Sequence, residues 1–402
     1  MWRSMRALPS PVWWLYAGSF VNRFGSFVSV FLILYLVEAG YSPGQAGTAA
    51  AAYGLGGLIS AIAGGYLADR LGRRNAIALS MFAAAGCSLA LSQARGLAAI
   101  IALTAAFGFT SELYRPASAA LLTDLVPKER RLPAFAGYRL AINAGFAFGP
   151  GVSGLLAERS FFWLFVGEAV TSVVFGVLAL FVLPEGVRTR RGEERAGEAL
   201  RTIRRDRPFL LLFGATTIAS IVYFQSGVTF PLHVRGGGLS TAFYGLLISI
   251  NGALIVLLEL PVVSVIRRFP APRVIATGMA LNGVGFSVLA FSADPSVLVA
   301  SVVVWTFAEM IAAPTSNAYI AELAPANLRG RYQGAYTLTF SLGLTIAPAL
   351  GGRLFEWSPA GLWLLCGAAG LVAAAMILAL PTRRVDPGAV ATPERPRVPP
   401  AG

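Results

Sequence analysis

Residues 65–74 read Gly65-Tyr66-Leu67-Ala68-Asp69-Arg70-Leu71-Gly72-Arg73-Arg74. This charged turn separates two long apolar stretches, 44–67 and 76–94, each near the ~20 residues a helix needs to cross ~30 Å of hydrocarbon. The pattern continues outward in both directions. Apolar segments fall at 12–37, 44–67, 76–94, 97–123, 134–157, 161–183, 208–232, 241–266, 273–291, 296–322, 332–355 and 359–380. Over 402 residues, 56% are hydrophobic and 13% charged, where a soluble domain carries about a quarter charged residues. No water reaches the bilayer core to satisfy backbone groups, so each segment must bond internally as a helix. The expected fold is an all-α membrane protein of twelve transmembrane helices.

The loops orient these spans. With the N-terminus on the inside, the inner segments hold 25 of the 32 Arg and Lys residues and the outer loops hold four: Arg95, Arg159, Arg235 and Arg353. Arg23, Arg115 and Arg139 lie within spans. Such a bias places both termini in the cytoplasm. Because the net charge of +13 is spread between apolar spans, it argues against a nucleic-acid partner. Met1–Ser10 is short and basic, and the run after it is long enough to be a retained span rather than a cleaved signal. Four regions follow: a six-helix bundle over 1–183, a cytoplasmic linker over 184–207, a second bundle over 208–381, and a Pro-rich, disordered tail over 382–402. Within the linker, 193–205 could form an amphipathic helix. Cys87 and Cys366 fall inside apolar spans and read as core filler; His233 reads as a span-boundary residue. With no Cys/His cluster, P-loop or nucleophile motif, neither an enzyme, a metal site nor a cofactor is expected. The use of 31 arginines against the single Lys128 suggests a GC-rich bacterial genome.

The two bundles are internally related. At an offset of 198, Pro116 matches Pro314, Leu125 matches Leu323, Arg131 matches Arg329, Tyr138 matches Tyr336, Gly145 matches Gly343, Pro150 matches Pro348 and Gly154 matches Gly352. Span four is thereby paired with span ten and span five with span eleven. The rows Gly137, Ala141, Gly145, Gly149, Ser153 and Ala335, Thr339, Gly343, Ala347, Gly351 place small residues at spacing four, which lets helices approach closely in lipid. Pro150 and Pro348 each remove a backbone hydrogen bond and permit a kink. These rows serve rigid packing or a rocking motion equally well.

Taken together, the chain resembles the major facilitator superfamily over all twelve spans. Residues 65–74 are similar to the family's loop motif G-x-L-A-D-R-x-G-R-[RK]. The resemblance implies that Gly65, Asp69, Arg70, Gly72 and Arg73 form a conformational gate. In it Asp69 lies near the start of helix eleven and Arg73 pairs with Asp124 at the end of helix four. A carboxylate suits the positive end of a helix dipole, and Arg–carboxylate pairs can be bidentate. The bland alternative is a loop that only enforces topology. Span five, with Gly145, Gly149, Pro150 and Gly154, resembles the antiporter motif G-x-x-x-G-P-x-x-G-G, with Ser153 in place of one Gly. It implies the twelve-span drug:proton antiporter branch, whose members export small hydrophobic or amphipathic compounds.

Ionisable groups at membrane depth are costly and normally face a wet cavity or a partner. Arg23 lies roughly 17 Å into span one, and Glu309 about 20 Å into span ten, at 1.5 Å per residue. Glu112 and Arg115 share a helix face at i, i+3. Glu259 lies toward the cytoplasmic end of span eight and Glu168 in the outer third of span six. Arg23, Glu112, Arg115, Glu309 and Glu259 are the candidates for proton coupling or substrate binding. A structural ion pair, a desolvated proton carrier and an anion site all remain open for them. Arg139 is expected to anchor the cytoplasmic gate. Tyr35, Tyr114, Tyr223, Phe224, Gln225, Asn251, Trp305 and Asn317 are the candidate cavity lining.

These readings converge on a monomeric, proton-coupled exporter of small molecules in the bacterial inner membrane, working by alternating access. An uptake symporter or facilitator is the alternative on the same fold. A non-transporting receptor or scaffold would call for a large soluble domain, and the longest connection is only 184–207.

Overall fold

The computed structural model describes residues 8–127, 130–186, 201–325 and 328–380. The linker helix expected at 193–205 lies mostly outside these residues, and the tail over 382–402 entirely so. The described chain is organised as α1 (Ser10–Glu38), α2 (Pro43–Leu71), α3 (Arg73–Gln93), α4 (Leu97–Leu125), α5 (Arg131–Arg159), α6 (Phe162–Val182), α7 (Arg207–Gly236), α8 (Thr241–Ile266), α9 (Ala271–Ala290), α10 (Pro295–Leu323), α11 (Arg329–Trp357) and α12 (Pro359–Leu378). Eleven are long and apolar enough to span a bilayer; α2, bent by 50° between Ala61 and Ala63, makes the twelfth when taken as one span. The fold is an all-α membrane fold, with no strand among the described residues.

Besides the bent α2, three spans expected to be continuous are broken. In α1 the helix stops at Phe24 and restarts at Phe27. The restarting turn is held by Glu168 of α6, whose carboxylate accepts from the Val28 N–H at 2.7 Å. In α4 the break falls at Leu113. Pro116 explains it, because its ring crowds the carbonyl four residues back, at Glu112. In α7 breaks fall at Phe224 and Thr229, and Pro231, whose ring crowds the Gly227 carbonyl, accounts for the second. Sequence hydropathy averaged over a span is blind to these breaks, because each whole span stays apolar enough to cross the bilayer.

Packing follows the repeat. In the first half α1 packs on α5, α2 on α4, and α3 on α6; in the second α7 packs on α11, α8 on α10, and α9 on α12. The halves meet along α5–α8 and α2–α11. The glycines of the small-residue rows make contacts within each half. Gly145 packs on α1, where an added Cβ would lie 2.6 Å from the Phe20 oxygen, and its counterpart Gly343 packs on Ser220 of α7. Many side chains pointing outward are large and apolar, among them Phe181 and Leu260, as a lipid-facing surface requires.

Candidate functional site

At the middle of the assembly a cavity of about 250 Å³ lies between the two halves. Its first-half wall carries Arg23, Tyr53, Glu112, Arg115 and Phe146, and its second-half wall Tyr223, Phe224, Tyr244, Asn251 and Trp305. A contiguous space of about 220 Å³ brings Arg23, Arg115, Tyr223, Asn251 and Glu309 together. A third crevice, about 250 Å³, lies inside the second half between α7, α9, α10 and α11, and shares Tyr223 and Glu309 with the space beside it.

The charges in the first half form a triad. Glu112 receives Arg23 at 3.2 Å on one oxygen and Arg115 at 2.8 Å on the other. Glu112 and Arg23 are nearly enclosed, with side chains 14% and 13% exposed, whereas Arg115 is 53% exposed and faces the open cavity. The Tyr53 hydroxyl adds a contact to Glu112 at 3.4 Å. Tyr114 lies beneath Arg23, its ring centroid 5.9 Å from the guanidinium carbon. The broken turn of α4 sets this geometry, by delivering Glu112 and Arg115 from either side of Leu113.

The carboxyl of the second half stands differently. Glu309 accepts from the Asn251 amide at 3.3 Å, and Asn251 also donates to Thr306 at 3.0 Å. It forms no ion pair among the described residues. Its near neighbours are amide and aromatic, with Tyr223 beside it and Trp305 stacked on Phe286 one turn away, while Arg23 and Arg115 line the same space.

Several expected lining residues sit elsewhere. Tyr35 turns away from the cavity to pack edge-on against Phe165 of α6, because the break in α1 rotates its upper piece. Tyr114 is fully buried against Phe175 and Arg23. Gln225 is consumed in the α7 break, donating to the Ala347 carbonyl at 3.3 Å and accepting from Thr229 at 2.8 Å. Asn317 clamps α10 to α11, accepting from Gln333 at 2.5 Å. In each case a local backbone irregularity or a neighbouring helix claims the polar group first.

On the face that carries the turn 65–74, hereafter the basic face, Arg73 meets Asp124 at 2.9 Å and Asp69 at 3.5 Å. Arg70 stacks over Tyr66. The start of the linker closes over this pair. Gly186 takes a φ of +76°, and an added Cβ would lie 2.8 Å from the Arg73 side chain, so only glycine fits both the turn and the space. Glu185 reaches Arg74 at 2.9 Å. The expected approach of Asp69 to the start of α11 falls at residues 329 and 330, whose side chains lie outside the described residues. Arg139 and Glu259 form a 2.6 Å ion pair between α5 and α8, and so bridge the halves toward this face.

The opposite face is sealed by a symmetric device that the sequence-derived candidates lack. Glu158, at the end of α5, accepts from the Ala242 N–H at the start of α8 (3.1 Å), and Glu356, at the end of α11, accepts from the Gly44 N–H at the start of α2 (3.0 Å). Ser42 donates to Glu356 as well, at 3.0 Å. Just inside, Gly245 faces Pro150 and Gly154 while Gly47 faces Pro348 and Gly352, backbone against backbone. All these partners are related by the same offset of 198; followed past Gly154 and Gly352, it would have reached Glu158 and Glu356. Toward the basic face α2 and α11 part, and a Cβ on Gly65 or Gly334 would meet nothing within 4 Å among the described residues. The cavity is thus closed on one side and open along α2–α11 on the other.

The Major Facilitator Superfamily profile matches residues 15–243 and 212–401. Among characterised and uncharacterised relatives, the chain is 27% identical over 358 residues to the uncharacterised MFS-type transporter YqjV of Bacillus subtilis, covering 87% of each chain. It is 26% identical to a Na(+), Li(+), K(+)/H(+) antiporter of Planococcus maritimus, covering 82% of this chain and 85% of the relative. To the quinolone resistance protein NorA of Staphylococcus aureus it is 22% identical, covering 84% and 89%. Among solved structures, the nucleoside transporter NupG superposes with a TM-score of 0.81 at 15% identity, covering 92% of this chain and 100% of that one. The peptide transporter POT bound to sulfate superposes at 0.78 with 19% identity, covering 92% and 94%. These structural likenesses speak for the fold.

Proposed function

This chain belongs to the Major Facilitator Superfamily, and from that premise we propose that it is a proton-coupled antiporter exporting small hydrophobic or amphipathic compounds from a bacterial cell. It is a multi-pass membrane transporter and not an enzyme. The halves 1–183 and 208–381 rock about the central cavity, which opens alternately to either face. The basic face is cytoplasmic, with both termini on it, in the inner membrane. The functional unit is the monomer.

One observation carries this reading: a carboxyl with no ion-pair partner among the described residues, Glu309, faces the same space as an Arg-neutralised carboxylate, Glu112. Glu309 can take or give a proton without first breaking an ion pair, which makes it the coupling group. Glu112 is held by two arginines and serves as a fixed element that positions them. Cation/proton exchange and quinolone resistance, as named for two relatives, support exchange and export. The span-five glycines Gly145 and Gly149 support it too, because they let α5 ride closely on the Arg23-bearing piece of α1. Asp69, Arg73 and Asp124 act as the gate of the basic face, with Arg139–Glu259 as its interbundle member.

The test is reconstitution into liposomes loaded with a pH-sensitive dye. Adding an exported compound to vesicles with an imposed pH gradient should produce proton movement that the Glu309→Gln variant lacks. Substrate flux in the wild-type protein that ignores the gradient would end the coupling claim.

A further inference from the structure

The charges around the cavity are unevenly divided. Arg23, Arg115 and Glu112 leave the first-half wall with one surplus positive charge, and its exposed carrier is Arg115, at 53% exposure. Glu309 gives the second-half wall a carboxyl with no ion-pair partner among the described residues. Both groups open onto one space. The walls between them are apolar and aromatic: Phe146, Phe224 and Trp305. Toward the basic face Arg139 and Glu259 neutralise each other, so they add no net charge. The remaining titratable groups facing the cavity are the hydroxyls of Tyr53, Tyr223 and Tyr244.

From this arrangement we propose that the site takes an amphipathic zwitterion, with its acidic group on Arg115 and its ammonium group on Glu309. This rests on reading the central cavity as the transport site. A guanidinium offers a planar fork that matches a carboxylate. The ammonium group pairs with Glu309 only when that carboxyl has given up its proton, and Tyr223 and Trp305 offer π-faces for a cation close by. Where Glu309 holds a proton before loading, the amine displaces it, and loading the acid releases none. The aromatic walls take the body of the compound and add affinity without charge preference.

The test uses two rigid aryl zwitterions of different length, para-(aminomethyl)benzoic acid and para-piperazinylbenzoic acid, each with its methyl ester and its N-acetyl derivative. Isothermal titration calorimetry on the detergent-solubilised full chain reads binding without any gradient. For at least one series the zwitterion should bind about tenfold more tightly than either blocked form, the scale of one charge-assisted hydrogen bond. Arg115→Gln should erase the preference for acid over ester and leave the preference for free over acetylated amine; Glu309→Gln should do the reverse. Thermal unfolding confirms that each variant is folded. If neither zwitterion outbinds both of its blocked forms, or if the two variants lower all affinities alike, the proposal is overturned. Proton release in vesicles is read separately. Discrimination in binding without proton movement refutes the antiport reading alone, and proton movement with all forms alike refutes the zwitterion site alone.

Discussion

Removing the two carboxylates that seal the face opposite the basic loops should open it by an amount that can be worked out. Glu158 and Glu356 each sit at the start of a helix from the other half and accept from a free backbone N–H there. Both side chains are solvent-exposed, so the interaction is that of a surface carboxylate with a helix N-terminus, about 0.3–1 kcal/mol, together with a hydrogen bond that water replaces in part. Taking about 1 kcal/mol for each, Glu158→Ala or Glu356→Ala alone shifts the equilibrium about fivefold toward the opened form. The double variant shifts it about thirtyfold, since 1.4 kcal/mol is a factor of ten. The contacts are lost in the opened form as they are on unfolding, so the sealed form weakens against both and the balance between the two folded forms shifts by the full amount. The assay is the labelling rate of a single cysteine at Ser226, which lines the cavity just below Tyr244. Cys87 and Cys366 are replaced, and an impermeant maleimide is applied from the sealed face of oriented vesicles. The rate should rise in each single variant and multiply in the double one. An unchanged rate in the double variant would show that the glycine contacts alone hold the seal and that the carboxylates are incidental.

Four further outcomes follow from the same geometry. Glu112→Gln strands the enclosed Arg23 and should cost about 3–5 kcal/mol, the penalty for breaking a buried pair, read as a large loss of thermal stability in detergent. Adding Arg23→Gln in the same chain should recover a good part of that loss. Gly245→Leu drives a side chain into the Pro150 backbone and should favour the state open on that face, detected as faster Ser226→Cys labelling. Asp124→Asn removes the nearer of the two carboxylates on the nearly enclosed Arg73 and should slow transport and lower stability, whereas Glu185→Gln, at an exposed pair, should change stability by less than about 1 kcal/mol.

The fold was legible because lipid imposes a length and polarity rule that composition obeys almost residue by residue. The offset of 198 was legible because close helix contacts admit only small residues, and those recur in register. The Arg73–Asp124 pair and the proximity of Glu112 to Arg115 were readable for similar reasons: one lies in a motif, the other at helical spacing. Which of Arg23 and Arg115 would hold Glu112 was not readable, and the answer is both, because the turn at Leu113 lets one carboxylate face two helices. Tyr35 and Gln225 misled for the opposite reason. Each is polar and lies at the right depth, but helix breaks decide where a side chain points, and hydropathy carries no record of a break. Glu158 and Glu356 were passed over because they lie at span ends, where an acidic residue looks like ordinary solvent-facing polarity.

The interruption of α1 between Phe24 and Phe27 separates two duties along one helix. Its lower piece carries Arg23 and lies against the glycines of α5, while its upper piece helps plug the sealed end, where the Tyr244 hydroxyl reaches the Val30 carbonyl at 3.4 Å. A rigid rod would transmit every tilt of the charged segment straight to the plug. A jointed one works as an elbow, with the forearm free to follow the ligand while the upper arm stays braced by Glu168. Tightening that joint should tie cargo recognition and lid movement into a single stroke; Gly25 keeps it compact, since an added Cβ there would collide with the Thr171 side chain.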